Sequence, residues 1–456
     1  MLKRKMSRIL EEWKKDGAKK ALCIVGARQV GKSTVVREFV KSHYENFLEL
    51  DFLNNPRARL LFSDRSSVQD ILIGLETYSP TELTPGKTLI LLDEIQECPE
   101  ARTAVKYLVE DGRFDYIETG SLLGVKIRNI RSYPVGFETL VNMYPLDFEE
   151  FMWAMNIQQS VINYLKDCYE NQRPVSLAVH EQMLDVFRTY IAVGGMPEAV
   201  QSFVDHKSIH PVQKIQENIV NLYRLDITKC AQISDRVKIQ NLFDSIPAQL
   251  KEKSPRFFLN RVYPNARMNV YEGSLAWLIE SQEILPCYGL EEPQQPLQLN
   301  RKNTLFRLFF LDTGLLCSLL GEDIQADILL RQNRMNMGCV FENAFADQLV
   351  ANGFELYYFN RKNLGEIDFV ISWKDSVDLI EIKSGTDFEN HPALTKILKQ
   401  QNTWKFRRKI VFCQSPGMVK GEIEYLPWYM IFLYRKPEPK EVQMDFNFES
   451  INVPEE

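Results

Sequence analysis

Residues 21–34 read ALCIVGARQVGKST, and this stretch decides the fold of the first third of the chain. Residues 21–25 form an apolar run with the length and bulk of a buried parallel strand, and the run stops at Gly26. Gly26-Ala27-Arg28-Gln29-Val30-Gly31-Lys32-Ser33 then fits the G-x-x-x-x-G-K-[ST] spacing at every fixed position. The chemistry requires that grammar, because backbone N–H groups must curl around phosphate oxygens and a Cβ at the glycines would obstruct the approach. Lys32 is expected to reach the β- and γ-phosphates as a point charge, and the Ser33 hydroxyl to ligate Mg²⁺. Residues 32–40 carry apolar side chains at helical spacing, so a helix N-terminus should face the anion. Together with Thr34, these residues make up the expected nucleotide cradle.

Three more strand-like runs, at 47–51, 88–92 and 115–119, alternate with helical stretches. That alternation predicts an α/β domain, a parallel sheet covered on both faces with its site at the carboxyl ends of the strands. The run at 88–92 delivers Asp93 and Glu94. Asp93 is expected to serve Mg²⁺, usually through water, and Glu94 to polarise an attacking water. The additional strand and the glutamate favour an ATP-hydrolysing, AAA-like core over a kinase or GTPase. Thr119-Gly120-Ser121 closes the fourth run, and Ser121 is placed there to sense the γ-phosphate. Arg128 and Arg131 follow as candidates for an arginine finger across a subunit interface.

Length and composition set outer bounds. The 456 residues suffice for about two to four domains, and a net charge of -6 gives no global sign of nucleic-acid binding. Eight cysteines without C-x-x-C spacing read as reduced core residues of a cytoplasmic protein. The basic N-terminus lacks the apolar run of a secretory signal. The most apolar stretch, 305–320, is interrupted by Arg307 and Asp312 and is too short to cross a bilayer.

The segments GARQVGKST, LILLDEIQECP, ETGSLLG, MYPLDFEEFM (143–152) and VGGMPEAV (193–200) together resemble a family of prokaryotic AAA-type ATPases. Members of that family carry a C-terminal domain of formerly unknown function related to restriction-endonuclease-like, PD-(D/E)xK folds. The likeness continues through YRLD (223–226), LFFLDTGLL (308–316) and FEN (341–343). Many relatives have a Gly-Arg pair before the YPL segment, where this chain has Pro134-Val135-Gly136-Phe137.

The resemblance implies an AAA-like P-loop core over 1–155, a helical lid over 156–235, a winged-helix-like domain over 236–330 and an α/β nuclease-like domain over 331–436, while the residues of 437–456 read as an acidic tail. A winged helix would present Arg256, Arg261, Arg267, Arg301 and Lys302 to a phosphate backbone. The same kind of fold serves equally as a protein-docking module. His206 and His210 have metal-ligand spacing but no evident third ligand, and read as surface histidines.

A second constellation lies near the C-terminus. Residues 337–351 read as a helix carrying Glu342, 365–373 as a strand, Lys374-Asp375 as a turn, and 377–383 as the returning strand. Such a hairpin brings Asp368 close to Glu381, and the two-residue side-chain period puts Glu381 and Lys383 on one face. An acid followed by E-x-K, with Glu342 from a helix, matches the pattern of metal-dependent nucleases. Glu342, Asp368 and Glu381 would hold Mg²⁺ or Mn²⁺, and Lys383 would position or deprotonate the attacking water. Gln400 or Gln401 would touch DNA.

Two functions remain open on the sequence. One is an ATP-driven enzyme that cuts DNA; the other is a nucleotide-dependent switch or binding module holding DNA or a protein partner, with assembly into a homo-oligomer compatible with either.

Overall fold

The computed structural model describes residues 2–63, 66–121, 134–230, 233–252, 256–321, 323–332, 337–399 and 404–436. Arg128, Arg131, Gln400, Gln401 and the tail 437–456 lie outside the described residues.

The first sheet contains β1 (Ala21–Val25), β2 (Asn46–Asp51), β3 (Thr88–Asp93), β4 (Asp115–Gly120) and β5 (Glu138–Asn142). Its order is β2-β3-β4-β1-β5, and every pairing is parallel. Alternate residues of β1 feed opposite cores. Leu22 and Ile24 pack with Val35, Val36, Phe39 and Val40 of the helix Lys32–His43. Ala21, Cys23 and Val25 pack with the helices Val68–Tyr78 and Pro99–Asp111. Because both faces are covered, β1 and β3 are buried at every residue, and this is why 21–25 and 89–92 read as unbroken apolar runs. β4 lies between β1 and β3, so one strand separates the phosphate loop from the strand delivering Asp93.

Five helices follow, Phe148–Ala154, Gln159–Glu170, Leu177–Val193, Pro197–His206 and Ile209–Cys230. Beyond them come Ile233–Lys251, Leu259–Val262 and Met268–Glu280, then the antiparallel pair β6 (Ile284–Leu290) and β7 (Arg301–Phe310). The hairpin does not stand alone as a wing. The other edge of β6 pairs in parallel with β8 (Leu356–Arg361), which pairs with β9 (Gly365–Ile367), so one sheet spans the middle and C-terminal segments.

A third sheet has the order β10-β11-β12-β14-β13, built from β10 (Phe369–Trp373), β11 (Ser376–Ile382), β12 (Phe406–Cys413), β13 (Met418–Lys420) and β14 (Ile423–Pro427). It is mixed, with β11, β12 and β14 parallel and both edges antiparallel. Residues 365–373, expected as one strand, change sheets at Asp368: β9 pairs with β8 and β10 with β11. Among the described residues no helix is long and apolar enough to cross a membrane.

The stretches that carry the family resemblance meet in a buried polar junction. The Gly195 amide donates to Asp312 Oδ2 at 2.5 Å, and Asp312 also caps the helix Thr313–Leu320 through the Leu315 amide at 3.0 Å. A Cβ on Gly195 would sit 2.1 Å from the Leu146 carbonyl oxygen, so this close approach admits only glycine. Burial pushes the Asp312 carboxyl up to about 6 against those amide hydrogen bonds. From the helix Gly338–Ala351, Asn343 brackets both backbone groups of Phe310 at 2.8 and 3.1 Å. Gln348 on that helix accepts from the Phe148 amide at 3.0 Å and donates to the Tyr190 hydroxyl at 2.8 Å. Residues of the first 152 positions, of the helices that follow and of the C-terminal segment are thus joined through buried hydrogen bonds.

Candidate functional site

The first site forms where β1, β3 and β4 end. Gly31, at φ +93°, turns the loop into the helix Lys32–His43, whose N-terminus has no side-chain cap. Its amides are therefore oriented toward an incoming anion. Lys32 is buried and donates from Nζ to the carbonyls of Gly26 (2.9 Å) and Ala27 (2.8 Å). Burial lowers its ammonium to about 8, against the raising influence of Glu94 and Asp93. Ser33 Oγ donates to Asp93 Oδ1 at 2.8 Å, and the Thr119 hydroxyl and the Glu94 amide reach the same oxygen. Hydroxyl and carboxylate oxygens from separate elements are the donor set Mg²⁺ prefers. Glu94 is left-handed, at φ +54°, and its carboxylate accepts from Gln96 Nε2. Such backbone strain in a non-glycine residue is costly and clusters at functional sites.

The helix Ile209–Cys230 grips this loop. Asp226 pairs with Arg28 at 2.8 Å, and the Tyr223 hydroxyl donates to the Arg28 carbonyl at 3.2 Å. Arg4 donates to the Val30 carbonyl at 2.7 Å and to Glu150 at 3.1 Å. A cavity of about 260 Å³ adjoins the loop, lined in part by Arg4, Gly31, Thr34, Glu198 and Gln201.

The second site forms on the neighbouring sheets. The β10–β11 register pairs Phe369 with Ile380, so Asp368 stands opposite Glu381. Asp368 Oδ2 accepts from the Ile382 amide at 2.7 Å, and Lys383 Nζ pairs with Glu381 Oε1 at 2.8 Å. Burial, then repulsion from Glu381, pushes the Asp368 carboxyl up to about 7. Burial likewise raises Glu381, whose Oε2 is buried without a hydrogen-bond partner. Glu342 is near enough to Glu381 to raise it further, as is Glu366.

Arg307 stands among these acids. It is only 6% exposed, lies 3.6 Å from Glu342 and is hydrogen-bonded to Glu366. Among the described residues, the one set of three Cys, His, Asp or Glu ligand atoms within 4.8 Å of one another is Cys23, Glu118 and Glu138. Arg102 already fills that set, donating to Glu118 at 2.7 Å and to Glu138 at 2.8 Å. The trio Glu342, Asp368 and Glu381 does not close to that distance.

Residues 18–152 match the model of a family described as AAA domain. They are an AAA-type P-loop ATPase module. Residues 184–326 and 337–431 match two domains of unknown function, DUF8612 and DUF4143. No curated protein matches the chain. Similar solved structures include a Walker-type ATPase of Pyrococcus abyssi, 14% identical with a TM-score of 0.42, covering 70% of this chain and 96% of that one. The Orc1 protein of Aeropyrum pernix, solved with DNA, is 10% identical with a TM-score of 0.31 over 74% of this chain and 94% of that one. A RuvB point variant of Thermotoga maritima is 12% identical with a TM-score of 0.29, over 62% of this chain and 89% of that one.

In the ATPase module the structure brings Lys32, Ser33 and Asp93 to one point, with Glu94 following on the same strand end. Thr119, two residues before the expected Ser121, is the residue of β4 that holds Asp93. Its signal is a hydroxyl side chain at the carboxyl end of a strand in the ATP-binding sheet. At the second site the sequence reading misses Arg307 and Glu366. Arg307 leaves a trace as a lone cation inside an apolar stretch, whereas Glu366 looks like any exposed strand residue.

Proposed function

We propose that this chain binds and hydrolyses ATP at the loop Gly26–Thr34 and that hydrolysis controls a divalent-cation-dependent, nuclease-like centre acting on DNA. The observation that supports the first half best is the convergence of Ser33 and Thr119 on Asp93 beside an uncapped helix N-terminus. In this reading, loop amides and Lys32 hold the phosphates, Ser33 and Asp93 serve Mg²⁺, and Glu94 orients the attacking water. Ser121, at the end of the same strand as Thr119, remains the proposed γ-phosphate contact. The cavity beside Gly31 and Glu198 suits the nucleoside end of the ligand.

For the second half the supporting observation is the unpartnered, buried Glu381 Oε2 beside Asp368 and Lys383, which fits a site built for a cation. Asp368 and Glu381 would hold Mg²⁺ or Mn²⁺, with Glu342 as the third candidate. A bound ion there would polarise a phosphoryl oxygen and lower the pKa of its water. Lys383 places its ammonium against Glu381 and toward the same space, where it can orient that water.

An ATPase assay with and without DNA, run beside a nuclease assay on the same preparation, tests both halves. Lys32→Ala should lower ATP turnover by about a hundredfold or more, since a preorganised phosphate ligand is lost. Asp368→Ala should spare turnover and abolish cleavage with Mg²⁺ or Mn²⁺. A second reading, a nucleotide-dependent switch that holds DNA or protein without cutting it, is favoured by the engagement of Glu342 and Glu366 by Arg307. Under that reading Asp368→Ala changes nothing, and partner affinity differs between ATP and ADP.

A further inference from the structure

The second site contains more charge than its motif requires. Asp368 is influenced by Glu381, Glu366 and Arg307, and Glu381 by Lys383, Glu366 and Glu342. Four carboxylates therefore face two basic side chains, leaving a net charge of about minus two when all are ionised, which one divalent ion neutralises. Arg307 divides the acids unequally. Its fork takes Glu366 by a hydrogen bond and Glu342 at 3.6 Å, its guanidinium carbon lies 4.7 Å from the centre of the Tyr358 ring, and Glu366 is fixed further by Asn360 at 2.7 Å. Glu381 Oε2 remains the buried carboxylate oxygen without a partner.

We propose that Arg307 sets the cation occupancy of this site: its guanidinium takes Glu342 and Glu366 out of the ligand set, leaving Asp368 and Glu381 to bind a single divalent ion. A guanidinium cannot be deprotonated under ordinary conditions and has no acceptor atoms, so it acts as a fixed internal cation that a second metal ion cannot share. The inference rests on the metal-site reading above. It departs from a three-acid site, because Glu342 contributes to holding Arg307 and not to holding metal.

The test is Mn²⁺ binding, by calorimetry and by the spin-resonance signal of free Mn²⁺, on nucleotide-free full-length chain carrying Asp93→Asn so that the phosphate loop contributes no ion. One site per chain is expected, removed by Asp368→Asn. Glu342→Gln should change the affinity by less than twofold. Arg307→Met should tighten Mn²⁺ at least tenfold, and in that background Glu342→Gln should weaken it again by a similar factor. Binding of a fluorescent ATP analogue and the thermal melt report whether each variant is folded. If Arg307→Met does not fold, Glu342→Gln in the chain that keeps Arg307 still decides, since a loss matching Asp368→Asn overturns the proposal and an unchanged affinity supports it. Two ions per chain, or an Arg307→Met affinity equal to that of the parent, also overturn it. Absence of any Mn²⁺ site sensitive to Asp368→Asn instead removes the metal-site reading beneath it.

Discussion

Arg102 shows how one side chain decides whether a sheet can contain polar groups. It is 1% exposed and joins Glu118 and Glu138 beneath β1, with the buried Cys23 alongside. Breaking such a cluster from one side strands the opposite charges, so Arg102→Met is expected to cost about 3–5 kcal/mol in urea unfolding. Adding Glu118→Gln and Glu138→Gln to Arg102→Met should recover more than half of that loss. The cluster also predicts a pH dependence. Burial, partly offset by Arg102, pushes the Glu118 carboxyl from about 4.5 to about 7. A folded pKa above the unfolded one means that the folded state binds the proton more tightly. The associated stability is complete below about pH 4.5 and is lost as pH rises through 7. Glu118→Gln removes that loss, so between about pH 4.5 and 7.5 the variant should gain on the parent by up to about 3 kcal/mol. A difference that stays flat with pH would mean that Arg102 keeps Glu118 ionised throughout.

Among elements, the helix Gly338–Ala351 is the one that serves two masters. Glu342 faces the second site, while Asn343 and Gln348, one and six residues on, enter the polar junction. Asn343→Leu would leave the Phe310 amide and carbonyl buried and unpaired, and should cost about 2–4 kcal/mol by denaturant titration. Phe310 ends β7, which also carries Arg307, so this bond ties the strand and helix of one site together. The sequence conveys such elements unevenly. β1 and the Leu89–Leu92 stretch of β3 are legible because burial on both faces leaves no polar residue in the run. β5 is not, because an edge strand with Glu138, Thr139 and Asn142 has no such run. Residues 365–373 read as one strand because side-chain alternation continues through Asp368, and alternation says nothing about which neighbour supplies the hydrogen bonds. The lone charges Arg307 and Asp312 look like mere interruptions of an apolar stretch. Their partners, Glu366 and the Gly195 amide, lie 59 and 117 residues away, beyond any local pattern.

Across the whole molecule, the phosphate loop and the second site are connected by contacts that do not pass through solvent. Arg28 is held by Tyr223 and Asp226 of the helix Ile209–Cys230. Gln216 on that helix donates to the Val193 carbonyl at 2.8 Å, at the end of the helix that also carries Tyr190, and Tyr190 accepts from Gln348. Continuity in space is not coupling, which requires two arrangements that both sites bias. In the proposed function these would be the loop with nucleotide and the loop without it, since a phosphate at Arg28 would compete with Asp226 for the guanidinium. The expected outcome is that a non-hydrolysable ATP analogue changes amide exchange at residues 338–345 by about fivefold or more, the lower end of ordinary allosteric coupling. Gln348→Leu, which cuts the link to Tyr190 and Phe148 without touching either ligand, should reduce that change to less than about twofold while leaving the affinity for the analogue intact. If the change in exchange persists in Gln348→Leu, the nucleotide reaches Glu342 by another route, and Asp312, held by Gly195 and packed against the same junction, becomes the place to break it.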